Sequence, residues 1–342
     1  MPVKNFFFSL ANLRSKGARR AVKLATMLSL VVMPTFQVHA ADAESIVKAL
    51  KAVAGNPPGV RATFAKGQCV GGVYNPAPAA DEVTTSESLT QQWPVIGRFS
   101  VSGGKPGTPD NSKTALRGFS IKILSGNDET HLLFENAPIH FAKNLDQMLG
   151  FLKARAPGPD GKPDQAKIAA FSEANPETTR QAAFVKAKEV PASYAGVVYW
   201  GVHTFYGLNS TGNEVPFKFK VVPHAGELGL TDAEAESAPA DFLVADLAAR
   251  LKQDSVKFDL QALLAENGDD LSTDVTLRWK DEDNRKAVTL GTISVTTIEP
   301  NEKCDESIFD PGLLADGIGA PKDEIFSART TAYAISLGLR SE

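Results

Sequence analysis

The segment GVRATFAKGQCVGGVY (59–74) follows a Pro-Pro turn and has the length and turn-bounded character of a β-strand. It contains four glycines, the cations Arg61 and Lys66, and a single phenylalanine, Phe64. Further segments of strand length follow, separated by Gly, Pro, Asn and Asp clusters: VIGRFSVSGG (95–104), LRGFSIKIL (116–124) and THLLFENAPIHF (130–141). The series predicts consecutive strands joined by short turns.

Helical and strand-like patterns alternate over the rest of the chain. Helical spacing of apolar residues predicts helices over 144–156, 164–174, 176–188, 241–253 and 325–340. Strands are expected over 194–209, 215–226, 255–266, 274–279 and 287–300, with the first two joined as a hairpin at STGNE (210–214). Many strands with helices around them predict an α+β fold built on an antiparallel sheet that is closed or nearly closed.

The first 40 residues have the order of regions of a secretory signal peptide. Six basic residues and no acidic ones accompany a short apolar run, 24–36, and small residues follow at Val38 and Ala40. The run is too short to span a bilayer. Residues 1–40 are therefore expected to be removed by export to a bacterial-type periplasm. The Arg19-Arg20 pair makes a twin-arginine route an alternative to the general secretory route.

Charge and cysteine content narrow the class of protein. The chain has 36 basic and 40 acidic side chains, so removal of the six basic residues leaves 30 against 40. An acidic mature protein without a basic run is a poor candidate for binding nucleic acid or anionic membranes. The two cysteines, Cys69 and Cys304, are too few for a zinc or iron–sulfur site, and pairing and burial as free thiols both remain open.

A set of short motifs in fixed order carries a family resemblance. The motifs are RATFAKG (61–67), GRFS (97–100), LRGFSIK (116–122), ENAPIHF (135–141), HTFYGLNSTGNEVPFKFK (203–220) and FDPGLLADGIGAPKDEIFSARTTAYAISLGLR (309–340). Together they resemble the haem catalases, and most closely the small catalase-related peroxidases. The resemblance implies a catalase-like β-barrel, a haem cofactor, and a single haem-binding domain over 41–342. Because the chain stops nine residues after Tyr333, it also implies that the C-terminal helical domain of full catalases is missing.

The last predicted helix carries the residues that the resemblance assigns to the haem iron. Arg329 and Tyr333 match an R-x-x-x-Y motif in which the tyrosine binds iron, and a spacing of four puts both on one face. A guanidinium one turn away favours the phenolate by charge and hydrogen bonding. Arg61, Arg98 and Arg340 match positions that hold the haem propionates, and arginine forks suit such carboxylates. The resemblance also explains the glycines of 59–74 as points where a strand runs close to a flat cofactor.

On the distal side the sequence departs from the family pattern. Phe64 occupies the position of the histidine that shuttles a proton between the peroxide oxygens, and phenylalanine cannot act as a base. Ser100 matches the serine that hydrogen-bonds that histidine. Glu135, aligned on Pro138, takes the place of a distal asparagine and is the main candidate for a substitute acid–base. His140 is a weaker candidate, because its odd offset from Glu135 puts it on the opposite face of an ideal strand.

Two functions are compatible with these residues. The first is an exported haem peroxidase that reduces hydrogen peroxide or organic peroxides with a small-molecule electron donor. The second is a catalytically impaired haem-binding protein, such as a carrier, sensor or pseudo-enzyme, which the loss of histidine at Phe64 favours. Neither involves nucleic acid, or a membrane after signal cleavage. A monomer or small homo-oligomer is expected.

Overall fold

The strands predicted between residues 59 and 141 pair with one another in sequence order. A computed structural model describes residues 40–126, 128–271 and 274–341, so the predicted signal peptide lies almost wholly outside the described part. β1 pairs with β2, β2 with β3 and β3 with β4, all antiparallel. The strands are β1 (Lys66–Pro76), β2 (Trp93–Val101), β3 (Arg117–Ile123), β4 (Thr130–Glu135), β5 (Val190–Pro191), β6 (Tyr199–Trp200), β7 (Phe205–Leu208), β8 (Glu214–Pro223), β9 (Gly229–Leu230), β10 (Val256–Leu264), β11 (Ala287–Ile298) and β12 (Ile318–Gly319).

The sheet closes into a barrel. Its order is β10-β11-β1-β2-β3-β4-β6-β8, and β8 also pairs with β10, which joins the two ends. Eight antiparallel strands therefore form the ring, and β7 and β12 extend it beside β8. The predicted antiparallel barrel is confirmed, and closure removes the exposed edges that an open sheet would present.

Helices lie around this barrel. They are α1 (Ala43–Val53), α2 (Glu87–Thr90), α3 (Leu145–Arg155), α4 (Gln165–Ala174), α5 (Arg180–Lys186), α6 (Asp232–Ser237), α7 (Phe242–Leu251), α8 (Glu302–Asp305) and α9 (Glu324–Ser341). α1 packs against α3 and α9. Among the described residues, no helix combines the length and apolarity needed to cross a membrane.

The strands next to the site alternate between two environments. Phe99 and Phe119 point into the barrel, where their rings stack at 4.3 Å and belong to its aromatic core. Ser100, Gly118 and Glu135 are direct cross-strand partners on β2, β3 and β4, so they form one row on the opposite face. Because side chains alternate with a period of two along a strand, this row lies on the outer face of the barrel.

Several predicted strands are shorter than their pattern indicates, divided or absent. Residues 59–65 precede β1 as turns and bends, and 194–209 divides into a short 3₁₀ turn, β6 and β7. The segment 274–279 is not a strand, because the Asp274 side chain binds the backbone N–H and hydroxyl of Thr276 and holds a turn. Helix α1 was not predicted, although it begins at a capping box formed by Asp42 and Ser45.

Cys69 and Cys304 form a disulfide between residues 235 apart in sequence. Cys69 lies on β1 and Cys304 on the short helix α8, and both side chains are fully buried. The bond therefore fastens the segment around Cys304 to the barrel wall.

Candidate active site

A cavity of about 480 Å³ lies between the outer face of β2–β4 and helix α9. Helices α1, α3 and α5 complete its walls, and most of its lining is apolar, including Ile46, Leu50, Leu133, Phe141, Met148 and Phe151. Eight of the residues considered for the site from the sequence line it: Arg61, Phe64, Arg98, Ser100, Glu135, Arg329, Tyr333 and Arg340. Residues up to 279 positions apart are thus brought to one chamber.

Helix α9 presents Arg329 and Tyr333 to the cavity as the second half of a hydrogen-bonded chain. Asp323 Oδ2 lies 2.8 Å from His203 Nδ1, and His203 Nε2 lies 3.0 Å from Arg329 Nη1. Arg329 Nη2 donates to the Tyr333 hydroxyl at 3.3 Å. Since the guanidinium can only donate, His203 Nε2 accepts and its proton sits on Nδ1 toward Asp323.

Burial keeps His203, the histidine of this hydrogen-bonded series, uncharged. Desolvation lowers the pKa of His203, against the opposing effect of Asp323. His203 is therefore a neutral relay that orients Arg329 toward the phenol. Asp323 has a second role, because its Oδ1 accepts from the Phe326 N–H and caps the start of α9.

Three arginines, Arg61, Arg98 and Arg340, gather at one end of the cavity and are here called the arginine cluster. Arg61 donates to Asp305 Oδ1 at 2.9 Å and to the Cys304 carbonyl at 2.5 Å. Arg340 donates to the carbonyls of Asp305 and Ser307. Arg98 donates to the carbonyls of Phe64 and Ala65.

The cluster carries more positive charge than its surroundings balance. Within the described chain, Asp305 is the one carboxylate paired with these three cations. Burial, together with the charge of Arg61, lowers the pKa of Arg98 to about 10. The pKa of Arg340 falls to about 10 for the same reasons. The Nε atoms of Arg98 and Arg340 are buried without a partner in the part of the chain that is described, so the cluster is suited to an anion.

The glycine of β1 nearest the cluster, Gly67, is required by close contacts within the protein itself. A Cβ on Gly67 would lie 2.4 Å from the Phe99 carbonyl oxygen and 2.6 Å from Arg98 Cζ. Cβ atoms on Gly71 and Gly72 would meet Thr297 and the backbone of Ser294. Gly67 therefore leaves room for the Arg98 guanidinium to cross β1.

We expect Gly67→Ala to lower the free energy of unfolding by about 1–3 kcal/mol, since the close contact is with backbone and cannot relax cheaply. Urea unfolding measures the effect. Gly107→Ala is the matched control, because its new Cβ would have nothing within 4 Å. Both substitutions lower the entropy of the unfolded chain by the same amount, so the difference between them reports the contacts in the folded state. Equal stability of the two variants would contradict the close-approach explanation.

Phe64 lies over the row formed by Ser100, Gly118 and Glu135. A Cβ built on Gly118 would be 3.1 Å from the Phe64 ring and 2.6 Å from Ser100 Oγ, so ring and hydroxyl meet above this glycine. The Phe64 backbone is left-handed, with φ of 51°, which is uncommon for a bulky residue. The two hydrogen bonds from Arg98 to the carbonyls of residues 64 and 65 hold this turn in place.

Glu135 sits at the end of β4 beside Phe64 and is shielded from solvent by the cavity walls. Gln181 of α5 donates to Glu135 Oε1 at 2.6 Å and to the Ile139 carbonyl. Burial raises the pKa of Glu135 to about 7, while the charge of Arg329 and the Gln181 hydrogen bond act in the opposite direction. A carboxyl group with this pKa exchanges protons readily near neutral pH.

His140 also lines the cavity, contrary to the strand-face argument. β4 ends at Glu135, so alternation no longer applies at residue 140, and the chain turns the imidazole inward. Burial lowers its pKa to about 4, so it is neutral at physiological pH. The roles of Asp323 and Gln181 were not predicted from the sequence. An aspartate directly before a helix is an N-cap signal that could have indicated Asp323.

The residues present fit a haem. The cavity is apolar along its walls, has unbalanced guanidinium groups at one end, and has a phenol backed by Arg329 on α9. Arg340 follows Tyr333 by seven residues, about 10 Å along the helix, so a cation that could bind a carboxylate and a phenol that could bind iron share one helix face. Tyr333 would hold the iron, and the arginine cluster would hold the two propionates.

Sequence comparison places the chain in a known family. The family model described as Catalase matches residues 57–340. A catalase-related peroxidase of Synechococcus elongatus is 31% identical over 328 residues, which cover 94% of this chain and 96% of the relative. A catalase-related peroxidase of Mycolicibacterium paratuberculosis is 28% identical over 303 residues, with 87% and 94% covered.

Solved structures share the fold. A fungal catalase superposes with a TM-score of 0.75 at 19% identity, and a bacterial catalase with 0.74 at 21%. The matches cover 86% and 92% of this chain, which spans 62% and 64% of those two catalase chains. By its motifs, its barrel and these matches, the chain belongs to the catalase family, in the branch of the catalase-related peroxidases.

Proposed function

We propose that this protein is an exported, haem-dependent peroxidase that reduces hydrogen peroxide or an organic peroxide with electrons from a small-molecule donor. The observation that carries the proposal is the orientation of Tyr333 into an apolar cavity by the Asp323–His203–Arg329 chain. The arginine cluster and the names of the two catalase-related peroxidases support it. Export rests on the signal-like pattern of residues 1–40.

Each group of residues has a distinct part in this function. Haem, when bound, supplies the redox-active iron that peroxide chemistry requires. Tyr333 would hold the iron, and Arg329 donates to its phenol oxygen. The arginine cluster binds the propionates and so fixes the position of the cofactor.

Glu135 is the proposed acid–base of the distal side. Its carboxylate would take the proton from a peroxide hydroxyl and return it to the oxygen that leaves as water or an alcohol when the O–O bond breaks. The small-molecule donor supplies the two electrons and two protons that convert the other oxygen to water. Gln181 holds Oε1, and Oε2 forms no hydrogen bond with any described residue, which leaves that oxygen free for the peroxide. Phe64 and the apolar lining limit the water around the reacting atoms.

A second function, haem binding without turnover, is favoured by one observation. Phe64 stands where the family has its proton-shuttling histidine, and its ring covers the centre of the Ser100–Gly118–Glu135 row. A carrier or sensor needs Tyr333 and the arginine cluster but no distal acid–base. The two functions therefore predict different responses of the haem-loaded protein to peroxide.

The test uses the mature chain loaded with haem. Peroxide is added, the visible spectrum is followed by stopped flow, and oxidation of a small phenolic donor is measured with hydrogen peroxide and with an alkyl hydroperoxide. The peroxidase function requires a peroxide-induced spectral change that the donor reverses, together with catalytic donor oxidation. An unchanged spectrum would support the second function, and a protein that does not retain haem would contradict both.

A further inference from the structure

Both cysteines of the Cys69–Cys304 disulfide lie next to the arginine cluster. Cys69 is the direct cross-strand partner of Arg98, so the two residues lie on the same face of β1 and β2. Gly67, two positions before Cys69, is the glycine over which the Arg98 guanidinium crosses. Cys304 belongs to α8, whose last residue, Asp305, pairs with Arg61. The bond thus connects the strand beside one arginine to the helix that holds another.

The segment after the disulfide, residues 304–307, holds two of the three arginines. Arg61 Nη2 lies 2.5 Å from the Cys304 carbonyl and 2.9 Å from Asp305 Oδ1. Arg340 Nη2 lies 2.8 Å from the Asp305 carbonyl and 3.0 Å from the Ser307 carbonyl. These acceptors fix the direction in which both guanidinium groups point.

The segment has little structure of its own to hold it there. α8 has four residues, and a helix of this length is not stable without tertiary anchors. Its non-covalent anchors nearby include hydrogen bonds from the Cys69 N–H to Asn301, from Asn301 to the Gly67 carbonyl and from Lys122 to Ser307. The disulfide is the covalent anchor, and it is packed with Phe309, Ile96 and Leu133 in a small apolar cluster.

We propose that the Cys69–Cys304 disulfide is a positioning element for the arginine cluster, and so controls how firmly the protein retains a cofactor with two carboxylates. While the bond is intact, the 304–307 segment directs Arg61 and Arg340 toward the cavity. A dithiol reductant that supplies two electrons and two protons breaks the S–S bond, leaves two thiols and is itself oxidised to a disulfide. The freed segment then moves with its acceptors, and the cofactor is released faster. This inference rests on the haem-binding part of the proposed function.

The experiment measures haem loss rather than turnover. Haem-loaded protein is mixed with excess apomyoglobin, and transfer is followed by visible absorbance for wild type and for the Cys69→Ala/Cys304→Ala double variant. We expect transfer to be faster by on the order of 10- to 100-fold in the variant, the scale of one lost hydrogen bond to a charged group. Wild-type protein treated with dithiothreitol until thiol titration shows two free cysteines should approach the same rate. An unchanged rate would overturn the proposal, whereas wild-type protein that retains no haem would contradict the proposed function itself.

A double-mutant cycle separates positioning from a general loss of stability. In an Arg61→Leu/Arg340→Leu background, removal of the disulfide should change the transfer rate by less than about twofold, because the groups it positions are gone. An effect as large as in the wild-type background would overturn the proposal.

If the cysteine variant does not fold, single variants that keep the disulfide test whether the 304–307 segment positions the arginines. Asp305→Asn should accelerate haem transfer several-fold, since it weakens the acceptor for Arg61. Glu306→Gln is the matched control, because it removes the same charge from an adjacent exposed residue outside these arginine contacts. Equal rates for Asp305→Asn and wild type would overturn the proposal.

Discussion

Tyr333→Phe is expected to abolish stable haem binding. The substitution removes the phenol oxygen to which Arg329 donates and leaves the ring and its packing in place. Loss of a partner behind a metal ligand typically costs 10- to 100-fold in affinity, so loss of the ligand itself should cost more than about 100-fold. Haem titration followed by visible absorbance measures the change, with far-UV circular dichroism to show that the fold is intact.

Tyr206→Phe provides the matched control for this prediction. Tyr206 is buried on β7, and its ring does not belong to the cavity lining among the described residues. The control should bind haem with the wild-type affinity and spectrum. Retention of a tyrosinate-type spectrum by Tyr333→Phe would rule out Tyr333 as the iron ligand.

Glu135→Gln is expected to lower the rate of peroxide reduction by about 10²–10⁴-fold, the usual contribution of a general acid–base. The amide keeps the shape of the side chain but cannot accept the peroxide proton. Since the carboxyl group must be ionised to do so and its pKa is raised to about 7, the wild-type rate should rise with pH through 7 and level off above it. The rate of the variant should lack this rise. Stopped-flow measurement of the peroxide-induced spectral change between pH 5 and 9 gives both profiles.

Phe64→His tests whether Glu135 is the acid–base. Histidine suits the left-handed backbone at residue 64 better than phenylalanine does, since it is enriched at positive φ. If Glu135 works, Phe64→His should rescue the Glu135→Gln variant while adding little to the wild type. A gain of tenfold or more in the wild-type background, with no loss on Glu135→Gln, would show that the distal side lacks a working base.

The barrel could be predicted from sequence because its central strands are locally consistent. β2 and β3 have apolar and polar residues in alternation between turn signals, and α3 and α9 have helical spacing. The errors arose where local chemistry overrides the pattern. Phe64 adopts a left-handed conformation that no strand permits, and the side-chain bonds of Asp274 replace strand pairing over 274–279.

The site was predictable to the extent that its residues lie close together in sequence. Arg329 and Tyr333 are one helical turn apart, so their shared face follows from spacing alone. The contacts of His203 with Asp323 and of Arg61 with Asp305 join residues 120 and 244 positions apart. Such contacts depend on how the barrel closes, which no local pattern specifies. The pairing of Cys69 with Cys304 is of the same kind.

Successive side chains of β2 and β3 alternate between the cavity and the interior of the barrel, so the residues of the site and those of the core lie on opposite faces. Ser100 and Gly118 face the cavity, whereas their sequence neighbours Phe99 and Phe119 fill the barrel. Substitutions on the cavity face therefore leave the aromatic packing inside the barrel in place. A scaffold of this kind can exchange one residue of the cavity face for another without a compensating change inside the barrel. Selection can thus alter reactivity while the fold remains constant.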